Sequence, residues 1–176
     1  MNSQTPPSRI LFVCMGNICR SPTAEGVLER LIDERGLEAL VEVDSAGTIA
    51  YHQGEEADPR MRQAAEERGY TLTSRARKVE PEDFDNFDLI VAMDRDNLED
   101  LHELGIEGRA ALRLLSDFLP AGSPKDVPDP YYGGAQGFEE VLDLIEQAGP
   151  ALLDSVLSGA GHGAADRPAF PAAEST

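Results

Sequence analysis

Ile10-Leu11-Phe12-Val13 is a short unbroken apolar run, the pattern of a strand buried on both faces. After a loop, Ala24, Val27, Leu28, Leu31 and Ile32 recur at helical spacing and define one apolar face. Ser21 is placed to cap this helix, Pro22 suits its first position and Gly36 stops it. Residues 40–44 predict a second strand. Asp58-Pro59 opens a second helix that reaches Arg68, with Gly69 as its stop. Residues 87–93 predict the third strand, and Asp94 is placed to cap a helix reaching about residue 104. Residues 112–118 are the fourth strand candidate. Residues 138–157 predict a long amphipathic helix with Phe138, Val141, Leu142, Ile145, Ala148, Leu152 and Val156 on its apolar side. Strands alternating with helices predict an α/β fold in which a parallel sheet is covered on both faces. In such sheets the site lies at the carboxyl ends of the strands. Residues 1–8 are expected to form a flexible arm, 9–157 the working domain, and 158–176, rich in Gly, Ala and Pro, a disordered tail.

Composition narrows the function. A chain of 176 residues fits one domain. Its 15 basic and 33 acidic residues give a net charge of −18, the wrong sign for nucleic acid or an anionic membrane surface. The acidity is read first as a well-solvated surface, with adaptation to high salt, where screening removes self-repulsion, as the alternative. No apolar run is long enough to span a bilayer, and the polar start lacks the core of a signal peptide. Two cysteines are too few for a disulfide scaffold or a four-thiolate zinc site. A cytoplasmic location with free thiols is the expectation.

The candidate chemistry follows the first strand, in Cys14-Met15-Gly16-Asn17-Ile18-Cys19-Arg20-Ser21-Pro22. Cys14 stands at the carboxyl end of the strand. The residues after it must turn tightly into a helix N-terminus, a geometry that aims backbone N–H groups and the positive end of the helix dipole at an anion. Such a field favours the thiolate form of a cysteine, the nucleophilic form. Arg20 supplies a planar fork for two oxygens of a phosphate, and the Ser21 hydroxyl is close enough in sequence to stabilise the sulfur. Together these residues predict an oxyanion site with a thiolate beneath the central atom, poised for phosphoryl transfer. A proton donor is also needed. Asp129, in Val127-Pro128-Asp129-Pro130-Tyr131-Tyr132, stands in a loop stiffened by proline; from the residues alone it is either that donor or an ordinary turn aspartate. Asp94 is either a helix cap or a second acid behind the site, and the cap is preferred.

The segment 13–25 resembles the signature of low-molecular-weight protein tyrosine phosphatases. The resemblance continues through Asp44-Ser45-Ala46-Gly47-Thr48, Asp58-Pro59-Arg60, Arg75-Ala76-Arg77, Ala92-Met93-Asp94 and Asp129-Pro130-Tyr131-Tyr132. It implies a four-stranded parallel, doubly wound sheet in a flavodoxin-like three-layer sandwich, and hydrolysis of phosphotyrosine through phosphocysteine with neither metal nor cofactor. It implies that Cys14 is the nucleophile, Arg20 the phosphate clamp and Asp129 the general acid, with Met15, Gly16, Asn17, Ile18 and Cys19 completing the phosphate loop. Asn17 would hold the loop in shape, Ser45 would belong to the network around it, and Tyr51 would face Tyr131 and Tyr132 across the pocket. The expected partners are a phosphotyrosine protein as substrate and inorganic phosphate as product and inhibitor. Cys19 either forms a protective disulfide with Cys14 or packs beneath the loop. One position departs from the family: Ser74 stands where many members carry a histidine, and His52, His102 and His162 are read as surface residues. Two other activities fit similar loops. Arsenate reduction needs a relay of thiols, which here would have to include an external one. Protein arginine phosphatases tend to carry Thr where this chain has Ile18, whose branched apolar side chain favours an aromatic ring.

Overall fold

The computed structural model describes residues 5–104 and 106–159. Its order is β1 (Ser8–Cys14), α1 (Arg20–Glu34), β2 (Val41–Gly47), α2 (Pro59–Glu67), α3 (Asp83–Asn86), β3 (Leu89–Ala92), α4 (Arg95–Glu103), β4 (Ala111–Leu114), a 3-10 turn (Leu115–Phe118) and α5 (Ala135–Leu157). All strand pairs are parallel, in the order β2-β1-β3-β4. Side chains alternate across β1. Ile10, Phe12 and Cys14 join the layer built by α1, α2 and α5. Leu11 and Val13 join the opposite layer with Phe84 of α3 and Leu98 and Leu101 of α4. The result is the three-layer doubly wound sandwich expected. The alternation of β1 also decides which face its last residue serves: Cys14 falls on the α1 side.

Several boundaries differ from the sequence pattern, each for a local reason. β4 ends at Leu114 because the Asp117 carboxylate accepts the Leu114 N–H, and the chain turns there into the 3-10 turn. The expected strand over 112–118 therefore covers only half its length. Ser8 belongs to β1, paired with Val41, so it is no part of an arm. Residues 1–4, His162 and the expected tail beyond Gly159 lie outside the described residues. α1 begins one residue before Ser21: its N-cap is Cys19, with no side-chain cap bond, and Pro22 falls third in the helix. Asp58 and Asp94 do cap α2 and α4, accepting from the N–H groups of Arg60 and Asn97. Among the described residues no helix is long and apolar enough to cross a membrane.

Candidate active site

The segment between Cys14 and α1 is wrapped by chain from three directions. Thr48 and Ile49, just past β2, donate their N–H groups to the carbonyls of Cys14 and Met15. Asp58 donates its N–H to the Ile18 carbonyl. Gly47 is required by this closeness, since a Cβ there would come within 2.7 Å of the Met15 carbonyl oxygen. Inside the turn, Asn17 has φ 57° and is the only described non-glycine in the left-handed region, a conformation Asn tolerates better than most residues. That turn aims the Asn17 N–H at the Cys14 sulfur, at 3.3 Å. The Ser21 hydroxyl lies 3.0 Å from the same sulfur. Ser21 also accepts from the Asn17 side chain at 2.8 Å, and Asn17 Oδ1 accepts the Arg77 N–H at 3.0 Å. Ser21 is thus committed to the sulfur instead of capping α1. With no side chain on its N-terminal amides, the helix keeps its positive end for an anion.

Arg20 is buried, 3% exposed, under this loop. Its Nη1 donates to Asp94 Oδ2 and, at 3.1 Å, to the Val127 carbonyl; Nη2 lies 3.6 Å from Asp129 Oδ2. Burial disfavours the guanidinium charge, but Cys14, Asp94 and Asp129 outweigh it and raise its pKa above the ordinary value. Asp94 therefore fills both roles that the sequence left open, capping α4 with Oδ1 and holding Arg20 with Oδ2. Asp129 accepts the Tyr131 N–H at 3.1 Å in an Asx turn and faces the pocket as well. The turn and the pocket position are compatible readings of one residue.

These groups line a cavity of about 260 Å³. Cys14, Ile18, Cys19 and Arg20 lie low in it, beside Met15 and Gly16. Ile49, Tyr51, Tyr131 and Tyr132 stand around it. His52, expected on the surface, is half-buried and lines the same cavity. Its ring meets Tyr51 edge-on at 4.8 Å and lies 6.1 Å from Tyr131, which meets Tyr132 at 4.9 Å. The walls are one aromatic arc closed by His52, which Glu55 orients through Nδ1 at 2.7 Å. Its local neighbours Tyr51 and Glu55 do not mark His52 as a wall of the site, because residues 16 and 131, which place it there, are distant in sequence. His102 is exposed in the last turn of α4. Among the described residues no group of His, Cys, Asp and Glu is arranged to hold a metal. The two thiols differ: burial pushes the Cys19 thiol up, with Asp58, Cys14 and Asp129 acting in the same direction. Cys19 is therefore held as a neutral thiol.

Ser45 does not reach the Asn17 network. Its hydroxyl donates instead to Oε2 of Glu25, at 2.9 Å, one helical turn beyond Ser21. Ser74 bonds the same carboxyl. Glu25 is 7% exposed. Burial raises its pKa from 4.5 to about 7, with Asp44 and Glu29 adding to the rise and the two serine hydroxyls opposing it. The folded protein binds this proton more tightly than the unfolded chain, so stability is full below the unfolded value and falls as pH rises toward 7. Glu25→Gln keeps the shape and removes the charge. Between pH 5 and pH 8 it should gain on the wild type by up to about 3 kcal/mol in urea unfolding; an unchanged difference between the two pH values would show that Glu25 titrates as an ordinary carboxylate.

The sequence profile described as low molecular weight phosphotyrosine protein phosphatase matches residues 9–160. The low molecular weight protein-tyrosine-phosphatase of Streptomyces coelicolor is 47% identical over 152 residues, covering 84% of this chain and 93% of that protein. A protein tyrosine phosphatase from Entamoeba histolytica, crystallised with Hepes in its active site, superposes with a TM-score of 0.80 at 42% identity, covering 87% of this chain and 99% of that one. The arginine phosphatase of Drosophila superposes with a TM-score of 0.79 at 31% identity, covering 84% and 96%. By sequence, by fold and by the loop between β1 and α1, the chain belongs to the low molecular weight phosphotyrosine protein phosphatases.

Proposed function

We propose that this enzyme hydrolyses phosphotyrosine in protein substrates through phosphocysteine on Cys14. The observation that carries the reading is the sulfur at the floor of an aromatic-walled cavity, met by the Asn17 N–H and the Ser21 hydroxyl, with Arg20 and Asp129 on the same cavity. The phosphoryl group sits over the loop. Arg20 holds its oxygens with the nitrogens not bound to Asp94 and Val127, and the arc of Tyr51, His52 and Tyr131 receives the ring. The Cys14 sulfur forms a bond to phosphorus as the bond to the phenolic oxygen breaks, and Asp129 gives that oxygen its proton. Water then attacks phosphorus, Asp129 takes its proton, and the sulfur leaves as a thiolate stabilised by Ser21. Inorganic phosphate is the product and, by occupying the same loop, an inhibitor.

Ile18, 7% exposed and lining the cavity, favours a phenyl ring over a guanidinium, which supports phosphotyrosine above phosphoarginine. Cys19 lines the same cavity as Cys14, and neither thiol is bridged. The shared cavity supports a reversible Cys14–Cys19 disulfide that shields the nucleophile under oxidation, and a chain with only two cysteines fits the cytoplasm as the working location.

Turnover of matched phosphotyrosine and phosphoarginine peptides tests the substrate, and Asp129→Asn tests the chemistry. The variant should lose on the order of a hundredfold in kcat/KM on phosphotyrosine and much less on aryl phosphates whose phenols are acidic enough to leave unprotonated. Equal loss on both would remove Asp129 as proton donor. Preference for phosphoarginine would reverse the substrate assignment.

A further inference from the structure

Arg60 makes more bonds than a capping segment requires. It opens α2 beside its cap Asp58, and its side chain is half exposed. An arginine needed only for charge would point to solvent. Here its fork grips the Asp58 carboxylate twice, Nε to Oδ1 at 3.1 Å and Nη2 to Oδ2 at 2.9 Å. Nη2 also donates to the Tyr131 carbonyl at 3.1 Å. The guanidinium lies over two rings, 5.6 Å from the centre of Tyr131 and 4.9 Å from that of Phe138 in α5. Burial disfavours the Asp58 charge, but Arg60 overcomes it and holds the carboxyl below its ordinary range.

Both ends of this strut touch the site. On one side the Asp58 N–H donates to the Ile18 carbonyl of the phosphate loop, at 2.8 Å. On the other, Tyr131 donates its own N–H to Asp129 Oδ1. The unbroken path is Ile18, Asp58, Arg60, Tyr131, Asp129. It joins the loop that carries the sulfur to the loop that carries the acid. Those loops are over a hundred residues apart in sequence, and an error of 1 Å in their separation costs a large factor in rate.

We propose that Arg60 is a positioning residue that sets the distance and orientation of Asp129 relative to the phosphate loop by bracing Tyr131 against Asp58. This rests on the phosphatase reading above. The role needs the fork, because a lysine nitrogen is a point charge and cannot hold the Asp58 carboxylate bidentately while reaching Tyr131.

The test uses Arg60→Met, which keeps the stem over the rings and removes the fork, and Arg60→Lys, which keeps the charge. Each is measured on a series of aryl phosphates of rising phenol pKa, alone and combined with Asp129→Asn. Arg60→Met should lose about tenfold in kcat/KM on phosphotyrosine and less than about twofold on the most acidic phenol, the range of a misplaced proton donor. Arg60→Lys should lose less, with the same dependence on leaving group, and it carries the test if the methionine variant does not fold. In the Asp129→Asn background either change should add less than about twofold, as expected for residues that act as a unit. Uniform loss across the series, or full additivity with Asp129→Asn, overturns the assignment and leaves Arg60 a structural residue of α2. A wild-type chain inactive on every aryl phosphate overturns the phosphatase reading and this one with it.

Discussion

Cys14→Ser should abolish turnover and keep the phosphate site. The serine oxygen occupies the place of the sulfur, still within reach of the Asn17 N–H and the Ser21 hydroxyl that now lie 3.3 and 3.0 Å from it. The loop is held elsewhere by Thr48, Ile49, Asp58 and Arg77, so its shape does not depend on the thiol. What disappears is a soft, ionisable nucleophile and a good leaving group for the second step. The expected loss is about ten-thousandfold or more in kcat, or some 5 kcal/mol of transition-state stabilisation. Inorganic phosphate should still bind, since the loop and Arg20 that face it are unchanged. Calorimetric titration with phosphate and single-turnover kinetics on an aryl phosphate measure both halves. Near wild-type turnover would remove Cys14 as nucleophile; loss of phosphate binding would make it a residue that shapes the loop.

Arg20→Lys should be nearly as damaging, and for a geometric reason. Arg20 is 3% exposed and serves three parts of the chain at once: Asp94 before α4, the Val127 carbonyl, and the pocket beside Asp129. One ammonium cannot satisfy all three. If it stays with Asp94, the phosphate loses its bidentate partner. If it turns to the phosphate, Asp94 and the Val127 carbonyl lose theirs, at about 1–3 kcal/mol for each buried group left unpaired. A loss on the order of a thousandfold in kcat/KM is expected, the upper range for removing an electrostatic donor, with a lower melting temperature. A variant that keeps wild-type kcat/KM would show that net charge, rather than the fork, does the work.

The parts of this site that were legible in the sequence are contiguous. Cys14, Asn17, Arg20 and Ser21 fall within one strand–turn–helix, where an apolar run, a helical repeat and Pro22 bracket the loop. The helices capped by Asp58 and Asp94 were legible for the same reason, since a cap and the amide it serves are neighbours in sequence. Ser21 shows where a local signal is overruled. Its residue type is right for a cap, but the sulfur seven positions earlier competes for the same hydroxyl. The strand expected over 112–118 failed similarly, because apolar periodicity does not register the Asp117 carboxylate that takes the Leu114 N–H.

His52, Glu25 and Arg60 were not singled out as members of the site by any pattern of spacing. His52 is half-buried where Tyr131 and Gly16 come against it. Glu25 occupies a polar slot on an otherwise periodic helix, and its burial with Ser45 and Ser74 is decided by β2 and by the crossing of residues 74–77. Local hydrophobic period, caps and the loop beside Cys14 determined the layered α/β fold and where its chemistry would lie, since those signals act between residues a few positions apart. Tertiary structure alone decided which wall closes the cavity, that Asp94 both caps a helix and holds Arg20, and which carboxyl is buried. Those outcomes depend on contacts between residues 20 to 107 positions apart, whose energies exist only once the chain has closed on itself.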